Sequence, residues 1–318
     1  MPRPPPPAAR PAAALVVTAP LAAVAAAAAA AAAGCNYAVL LVQRAAGGSF
    51  AAAHAFPGGV VEDQDRRAPG SPFAACAVRE TFEETGLLLT AAPALRPGAA
   101  ARPGAAAFHA WCAAHGAAPV ALRPVARWAT PRAQAPRFDA RFLLASIGPG
   151  DRFLLGQLGA ERAAPGEIAR VVWVAPDQAL AANARGEMAL FPPQAHLLHR
   201  LARCRRWQDL PRADLAAAAA GLDEPVEPRL RRRSDGAVEA LLPGDRDYGP
   251  GGCDYGPGDC GHGPRDCGHG PRDCGHGPRD CGHGPGAGGA LHRLVMRPAP
   301  GGSGFHAATL VQAAGSRL

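Results

Sequence analysis

The chain has 318 residues, enough for one large domain with tails or for two modest ones. Glycine and proline number 39 and 34, close to the level at which disorder becomes common, and all 33 basic residues are arginine. The net charge of +7 suits an anionic substrate, but the basic run 229–233 has no interleaved aromatic residues for stacking bases. We therefore expect no stable nucleic-acid partner. We also expect the protein to be a monomer. Nine cysteines without a CxxC pair argue against a disulfide framework or a zinc site and favour a reducing compartment.

The N-terminal part of the chain is a Pro/Ala-rich tail over residues 1–12, followed by an apolar run. Such a run is compatible with a membrane span or a secretory signal. However, Pro20 interrupts it, alanine is only marginally favourable in hydrocarbon, and a strand-like segment follows directly. We predict a first strand at 13–19, a poly-Ala insert at 21–33 and no membrane span. Cleavage before Cys35, as in a lipoprotein, is the alternative.

The next segments alternate between strand and loop. Residues 37–44, YAVLLVQR, are apolar and then abruptly charged, which predicts a buried strand. Residues 55–62, AFPGGVVE, are predicted to be strand or loop and contain the pair Gly58 and Gly59. Residues 63–71 are polar and contain proline and glycine, so we predict a loop.

A helix follows this loop with clear signals at both ends. Ser71 is a suitable N-cap and Pro72 a suitable first residue, while Gly86 is suited to end the helix. The helix reads FAACAVRETFEET, and residues 87–90, LLLT, resemble a strand. Strand, loop, helix and strand thus follow one another in the first third of the chain.

The remainder of the chain continues this mixture. We predict partial helix in 108–128, a strand at 138–145, strand, turn and helix over 167–186, a helix at 190–204, weaker helix over 208–222 and a short hairpin at 234–248. This order indicates an α+β or layered α/β domain over residues 13–205 and a C-terminal extension over 206–248.

A seven-residue repeat, GPRDCGH, dominates residues 249–289. Glycine and proline in each unit exclude a coiled coil despite the seven-residue period. The recurring Cys-Gly-His spacing is not that of a structural zinc site, so we interpret the repeat as a disordered low-complexity expansion. Residues 290–318 are assigned to a tail.

Three glutamates lie on one face of the predicted helix. Glu80, Glu83 and Glu84 stand at positions i, i+3 and i+4, where like charges repel unless something offsets them. A solvated face would intersperse bases, whereas a carboxylate cluster facing a cleft suits a hard divalent cation such as Mg²⁺. The spacing therefore indicates a metal site, with an ordinary acidic helix as the alternative.

The glycine pair and RETFEETGL at 79–87 together resemble the Nudix box, G-x5-E-x7-R-E-U-x-E-E-x-G-U, where U is a bulky apolar residue. The arginine, the glutamates, the glycine and the final U match, whereas Thr81 stands at the first U. The sixth residue after Gly59 is Asp65 instead of glutamate, and the box is interrupted by six extra residues before Arg79. The resemblance implies a Nudix fold, an α/β (α+β) domain built as an α/β/α sandwich with a mixed β-sheet, plus disordered tails.

Within this superfamily, the stretches LLVQRAAGGSF, RFDARFLLA, FPPQ and DGAVEALLPGD resemble the peroxisomal acyl-coenzyme A diphosphatases. That resemblance covers most of residues 36–245 discontinuously. It implies dependence on Mg²⁺ or Mn²⁺ and hydrolysis of the diphosphate of coenzyme A or acyl-coenzyme A. The products would be adenosine 3′,5′-bisphosphate and (acyl-)4′-phosphopantetheine.

The same resemblance implies roles for the residues of the helix. Glu80 and Glu84 would bind metal, and Glu83 would be a further ligand or the base that activates water. Arg79 would orient one of these glutamates by a charge-assisted hydrogen bond. The glutamate that deprotonates water differs among Nudix enzymes, so its identity stays open.

The residues upstream of the helix would serve the substrate. Gly58 and Gly59 let the backbone approach the metal or the diphosphate. Arg44 fits the start of a partial coenzyme A-recognition signature, so we assign it to phosphate binding. His54, just before the glycine turn, is expected to be a packed or solvated histidine rather than a phosphate ligand.

The tripeptide Ser316-Arg317-Leu318 is a conservative variant of the S-K-L peroxisomal address. It predicts a peroxisomal location and an import receptor as partner. Three alternatives stay open at this point: a Nudix hydrolase of ADP-ribose or an RNA cap, a non-catalytic binding module with the same fold, and a secreted or lipidated protein with a metal-binding tail.

Overall fold

The computed structural model of the protein describes the chain in these ranges: 8–24, 34–45, 52–91, 107–159, 161, 163–213, 215, 220–245, 247–248, 292–298 and 305–312. Most of the poly-Ala insert, the GPRDCGH repeat and the tripeptide Ser316-Arg317-Leu318 lie outside the described residues.

The strands, numbered in chain order, are β1 Arg10–Pro20, β2 Tyr37–Arg44, β3 Ala53–Ala55, β4 Gly58–Val60, β5 Thr90–Ala91, β6 Ala118–Pro119, β7 Arg123–Ala129, β8 Phe138–Ser146, β9 Ile168–Val174, β10 Ala189–Leu190, β11 Arg229–Arg232, β12 Val238–Leu241, β13 His292–Pro298 and β14 Phe305–Gln312. The bounds of β2 agree with the prediction from its apolar run.

The helices are α1 Asp63–Arg67, α2 Pro72–Thr85, α3 Phe108–Ala114, α4 Arg152–Leu155, α5 Pro176–Ala184, α6 Pro192–Arg203 and α7 Ala220–Asp223. In the part of the chain that the structure describes, 3-10 turns occur at Leu21–Ala23 and Trp207–Asp209. None of the helices in the described ranges has the length and apolar character needed to cross a membrane.

The strand β1 lies at the centre of the main sheet. The sheet has the order β10-β3-β2-β1-β8-β7, with β4 also paired to β1 and β9 also paired to β2. The pairs β1–β8 and β10–β3 are parallel and the other pairs are antiparallel. The sheet is therefore mixed, as predicted.

Helices cover both faces of this sheet. Successive side chains of a strand point to opposite faces, and β2 is buried along most of its length. Leu40 belongs to the same buried cluster as Phe82 of α2 on one face, whereas Leu41 belongs to the same buried cluster as Leu198 of α6 on the other. Burying each leucine side chain stabilises the fold by about 1.5–3 kcal/mol. The predicted α/β/α sandwich is thereby confirmed.

A second sheet, in the order β11-β12-β13-β14, packs on the α6 side. Ala240 and Leu294 of this sheet belong to the same buried cluster as Leu198. The domain boundary at residue 205 stays a prediction, because residues on both sides of it share this core. The strands β13 and β14 lie within the segment 290–318 that was assigned to a tail, and β1 begins within the tail assigned to 1–12.

Several local predictions differ from the structure. The predicted loop 63–71 contains α1, and in the segment LLLT the strand begins only at Thr90. The helix predicted over 208–222 is reduced, in the described part, to a 3-10 turn and the short α7. The predicted hairpin lies nearer the N-terminus, because Gly236 with φ 82° forms the turn between β11 and β12.

Candidate active site

The helix α2 carries the three glutamates and begins and ends as predicted. Pro72 is at its first turn, and Gly86 adopts φ 72° and donates its N–H to the Phe82 carbonyl. Ser71 has the extended backbone of an N-cap, but its side chain makes no capping hydrogen bond. Thr81, which replaces a bulky apolar residue of the box, is buried and donates its hydroxyl to the Ala77 carbonyl at 2.7 Å. The substituted position is therefore satisfied within the helix.

Asp65 is a fully buried carboxylate that holds the guanidinium of Arg79. It accepts hydrogen bonds from Arg79 Nε at 2.9 Å and Nη2 at 2.8 Å, and both side chains are almost completely buried. The Glu62 N–H donates to Asp65 Oδ2 at 2.8 Å, which orders the start of α1. Burial alone would raise the pKa of Asp65, but the hydrogen bonds from Arg79 and His109 hold that pKa well below its usual range. Asp65 thus positions an arginine rather than facing the glutamates.

Arg79 links this buried pair to the glutamates of α2. Its Nη1 lies 3.0 Å from Glu80 Oε1 and 3.2 Å from Glu83 Oε2, and its Nη2 also donates to the Val60 carbonyl. Burial disfavours the charged guanidinium, but the hydrogen bonds to Asp65 and the surrounding carboxylates raise the pKa of Arg79. The geometry agrees with the predicted contact between Arg79 and the glutamates.

Glu80 and Glu84 share an environment that disfavours two negative charges. Burial raises the pKa of Glu84 to about 8, although the Gly58 N–H donates to its Oε2 at 3.0 Å. Burial also raises the pKa of Glu80 to about 7, and the nearby charge of Arg79 offsets part of this effect. The pKa of Glu83 is raised as well, by burial more than by its neighbours. The site is short of positive charge, which is what a bound cation would supply.

The two glycines pack against different partners, and a Cβ at either position would overlap its neighbour. A Cβ on Gly58 would overlap the backbone of Ala13 and Ala14, because β4 pairs closely with β1. A Cβ on Gly59 would instead overlap the carboxylate of Glu80. Gly58 is therefore required by the sheet, whereas Gly59 keeps space beside a glutamate.

A cleft of about 230 Å³ opens where these elements meet. Its lining residues are Arg44, Ala45, Gly58, Gly59, Glu80, Glu84, Gly166 and Glu167. Arg44 lines this cleft, and its charge lowers the pKa of Glu84 in opposition to the larger effect of burial. Four of the predicted residues of the box and the predicted phosphate-binding arginine thus converge, whereas Glu83 stands beside Arg79 and outside the lining.

Glu167 was missed by the sequence analysis. It precedes β9, and its carbonyl accepts the Ala45 N–H at 2.8 Å, which ties the loop to the end of β2. The Ala164 N–H donates to the Glu84 carbonyl at 3.1 Å and fixes the same loop to α2. An acidic residue directly before a buried strand is a weak signal, because its place in the cleft depends on the pairing of β2 with β9.

The donor chemistry of the cleft fits a hard divalent cation. Within the described ranges, no three His, Cys, Asp or Glu side chains are gathered closely enough to form a ready-made metal site. Glu80 and Glu84 nevertheless offer oxygen donors in one cleft, and burial raises the pKa of both, so a bound cation would favour their ionised forms. These two residues fit the expected metal. Glu83 does not line the cleft, but it contacts Arg79, which also contacts Glu80.

His54 belongs to the sheet rather than to the cleft. It is buried in β3, and burial lowers its pKa, with a further contribution from the charge of Arg170. It does not line the cleft. The interpretation as a packed histidine is confirmed.

Comparison with known proteins identifies the class of protein. The family model described as NUDIX domain matches residues 23–111, which include the glycine pair, α1 and α2. The chain therefore carries a NUDIX domain, the domain of hydrolases that cleave diphosphate bonds.

Individual relatives extend the likeness. The chain is 28% identical over 288 residues to the acyl-coenzyme A diphosphatase NUDT19 of Gallus gallus, covering 67% of this chain and 73% of that protein. It is 31% identical over 205 residues to the Homo sapiens protein of the same name, covering 55% of this chain and half of the human protein. Among solved structures, a NUDIX hydrolase from Alicyclobacillus acidocaldarius is 26% identical, with a TM-score of 0.48 over 68% of this chain and 96% of that chain.

Proposed function

We propose that the protein hydrolyses the diphosphate of coenzyme A and acyl-coenzyme A. The products are adenosine 3′,5′-bisphosphate and (acyl-)4′-phosphopantetheine. The observation that carries this proposal is the likeness to two acyl-coenzyme A diphosphatases, which extends well beyond the NUDIX domain itself. The carboxylate-lined cleft supports it, because a diphosphate is a substrate for such a site.

Mg²⁺ or Mn²⁺ is the cofactor in this proposal. Glu80 and Glu84 would hold it, with Glu83 as a further ligand or as the base. When bound, the metal neutralises charge on the diphosphate oxygens and on the departing phosphate. Burial raises the pKa of both glutamates, and a bound cation would favour their ionised forms.

The other residues of the cleft position the substrate and the glutamates. Arg44 binds a phosphate oxygen of the substrate, since its guanidinium is exposed at the edge of the cleft. Gly59 has no side chain and so leaves room for the carboxylate of Glu80. Arg79 restricts Glu80 and Glu83 through its Nη1 group, so that one of them is oriented toward the attacking water.

We also propose that the protein acts as a monomer in the peroxisome. The support is the tripeptide Ser316-Arg317-Leu318, which an import receptor would bind. This proposal requires that Leu318 is the terminal residue of the protein.

Incubation of the purified protein with Mg²⁺ and one of coenzyme A, ADP-ribose or capped RNA tests the substrate. The proposal predicts release of adenosine 3′,5′-bisphosphate from coenzyme A and little hydrolysis of the other two. Faster cleavage of ADP-ribose or capped RNA would assign the site to another nucleotide diphosphate. If none of the three is hydrolysed and Glu84→Gln behaves like the unaltered protein, the fold serves as a binding module instead.

A further inference from the structure

The contact between His109 and Asp65 joins a residue outside the glutamate helix to the cleft. His109 lies in α3, and its Nε2 is 2.8 Å from Asp65 Oδ1. The Asp65 side chain is completely buried, whereas that of His109 is 18% exposed. The histidine therefore closes the solvent side of the buried pair between Asp65 and Arg79.

His109 donates in this contact. Hydrogen bonds from Arg79 and His109 keep the pKa of Asp65 low in spite of its burial, so the carboxylate is ionised and can only accept. Its two oxygens then receive four donors: Arg79 Nε and His109 Nε2 on Oδ1, and Arg79 Nη2 and the Glu62 N–H on Oδ2. An ionised carboxylate has about four acceptor positions, so Asp65 is saturated.

Saturation of Asp65 fixes the direction of the arginine. Because Nε and Nη2 of Arg79 are both held by Asp65, the remaining Nη1 is aimed at Glu80 and Glu83. Without the His109 donor, Oδ1 keeps only the Arg79 Nε–H, so the carboxylate and the guanidinium that it holds are less restrained. A sub-ångström change in these two planar groups is transmitted to both glutamates.

Packing sets the position of His109 independently of the hydrogen bond. The neighbouring Phe108 is buried, and its ring lies 5.3 Å from that of Phe82 on α2. The first turn of α3 is thereby anchored on the helix that carries the glutamates. His109 reaches Asp65 from this anchored turn, so its place does not depend on a loop.

We propose that His109 is a positioning residue of the hydrolase, which acts through Asp65 and Arg79 on the orientation of Glu80 and Glu83. The inference deepens the proposed function and rests on it. It extends the site beyond the box to a helix that follows it in the sequence.

The test compares His109→Ala with His109→Gln, whose amide nitrogen can occupy the place of Nε2. We expect His109→Ala to lower kcat on coenzyme A by about tenfold with KM unchanged, and His109→Gln to restore most of the loss. When His109→Ala is added to Asp65→Asn, it should cause no further loss of kcat. If Asp65→Asn does not fold, Arg79→Lys serves as the background instead. His115→Ala is the matched control, since His115 contacts Trp111 at the end of the same helix and should leave kcat unchanged.

A second measurement does not depend on turnover. The Arg79 Nε–H resonance, assigned by comparison with Arg79→Lys, should exchange slowly with solvent in the unaltered protein and in His109→Gln, and faster in His109→Ala. If the unaltered protein cleaves no coenzyme A, the proposed function fails, while this resonance still decides the role of His109. The inference would be overturned if His109→Ala and His109→Gln had the kcat of the unaltered protein, or if both lost kcat equally. It would also be overturned if the losses of His109→Ala and Asp65→Asn were additive, or if the Arg79 resonance were unchanged in His109→Ala.

Discussion

Replacing Glu84 by glutamine removes the most deeply buried charge of the cleft. The Glu84 side chain is only 5% exposed, and burial raises its pKa from 4.5 to about 8. Each pH unit between these two values is worth about 1.36 kcal/mol, so the ionised carboxylate lowers the free energy of unfolding by about 5 kcal/mol at pH 8.5. Glutamine keeps an oxygen that can accept the Gly58 N–H, so the substitution removes the charge and preserves the hydrogen bond.

The sign of the pH dependence follows from where the proton resides. Between pH 4.5 and pH 8 the folded protein holds a proton on Glu84 that the unfolded chain has released. The stability of the metal-free protein therefore falls as the pH rises through this window, and the loss levels off above it. We expect Glu84→Gln to be more stable than the unaltered protein by about 5 kcal/mol at pH 8.5, and by less than about 1 kcal/mol at pH 5.

Urea unfolding in the presence of a chelator measures this difference at both pH values. Glu187→Gln is the matched control, since Glu187 is exposed, forms an ion pair with Arg185 at 2.8 Å and should show no such gain. Adding Mg²⁺ should stabilise the unaltered protein and have little effect on Glu84→Gln. A Glu84→Gln protein that is no more stable than the unaltered one at pH 8.5 would refute the reasoning from burial and charge.

The cleft supports three further predictions. Gly59→Ala should lower kcat at least about tenfold with little change in Tm, because its Cβ overlaps the carboxylate of Glu80 rather than backbone. Gly58→Ala should lower the free energy of unfolding by about 3 kcal/mol in urea, because its Cβ overlaps the backbone of β1; equal stability of the two alanine variants would contradict both predictions. Arg44→Ala should raise KM for coenzyme A by about tenfold and leave kcat nearly unchanged, since it removes a phosphate contact; a loss confined to kcat would count against this role.

The parts of the fold that could be predicted depend on local signals. The helix α2 is marked by Pro72 and Gly86 within one short segment, and β2 by an uninterrupted apolar run. The convergence of Glu80 and Glu84 follows from helical periodicity alone. These features do not require knowledge of which strands pair.

The parts that could not be predicted depend on distant contacts. The α1 helix has only five residues, and it is ordered by the bonds of Asp65 to Arg79 and His109, which lie 14 and 44 residues further along the chain. Glu167 enters the cleft through the pairing of β9 with β2. The strands β12 and β13 pair Leu241 with Arg293 across the repeat, so no local sequence pattern predicts this pairing. The interrupted front half of the box was predicted as a loop for the same reason.

The most direct test of the account follows the fate of coenzyme A in matched variants of the cleft. With Mg²⁺, the unaltered protein and Glu187→Gln should release adenosine 3′,5′-bisphosphate and 4′-phosphopantetheine in equal amounts, identified by mass spectrometry. Glu80→Gln and Glu84→Gln, although folded, should release neither, and a chelator should stop the reaction of the unaltered protein. Equal product release by the Glu84→Gln protein would contradict the claim that this cleft is where the diphosphate is cleaved.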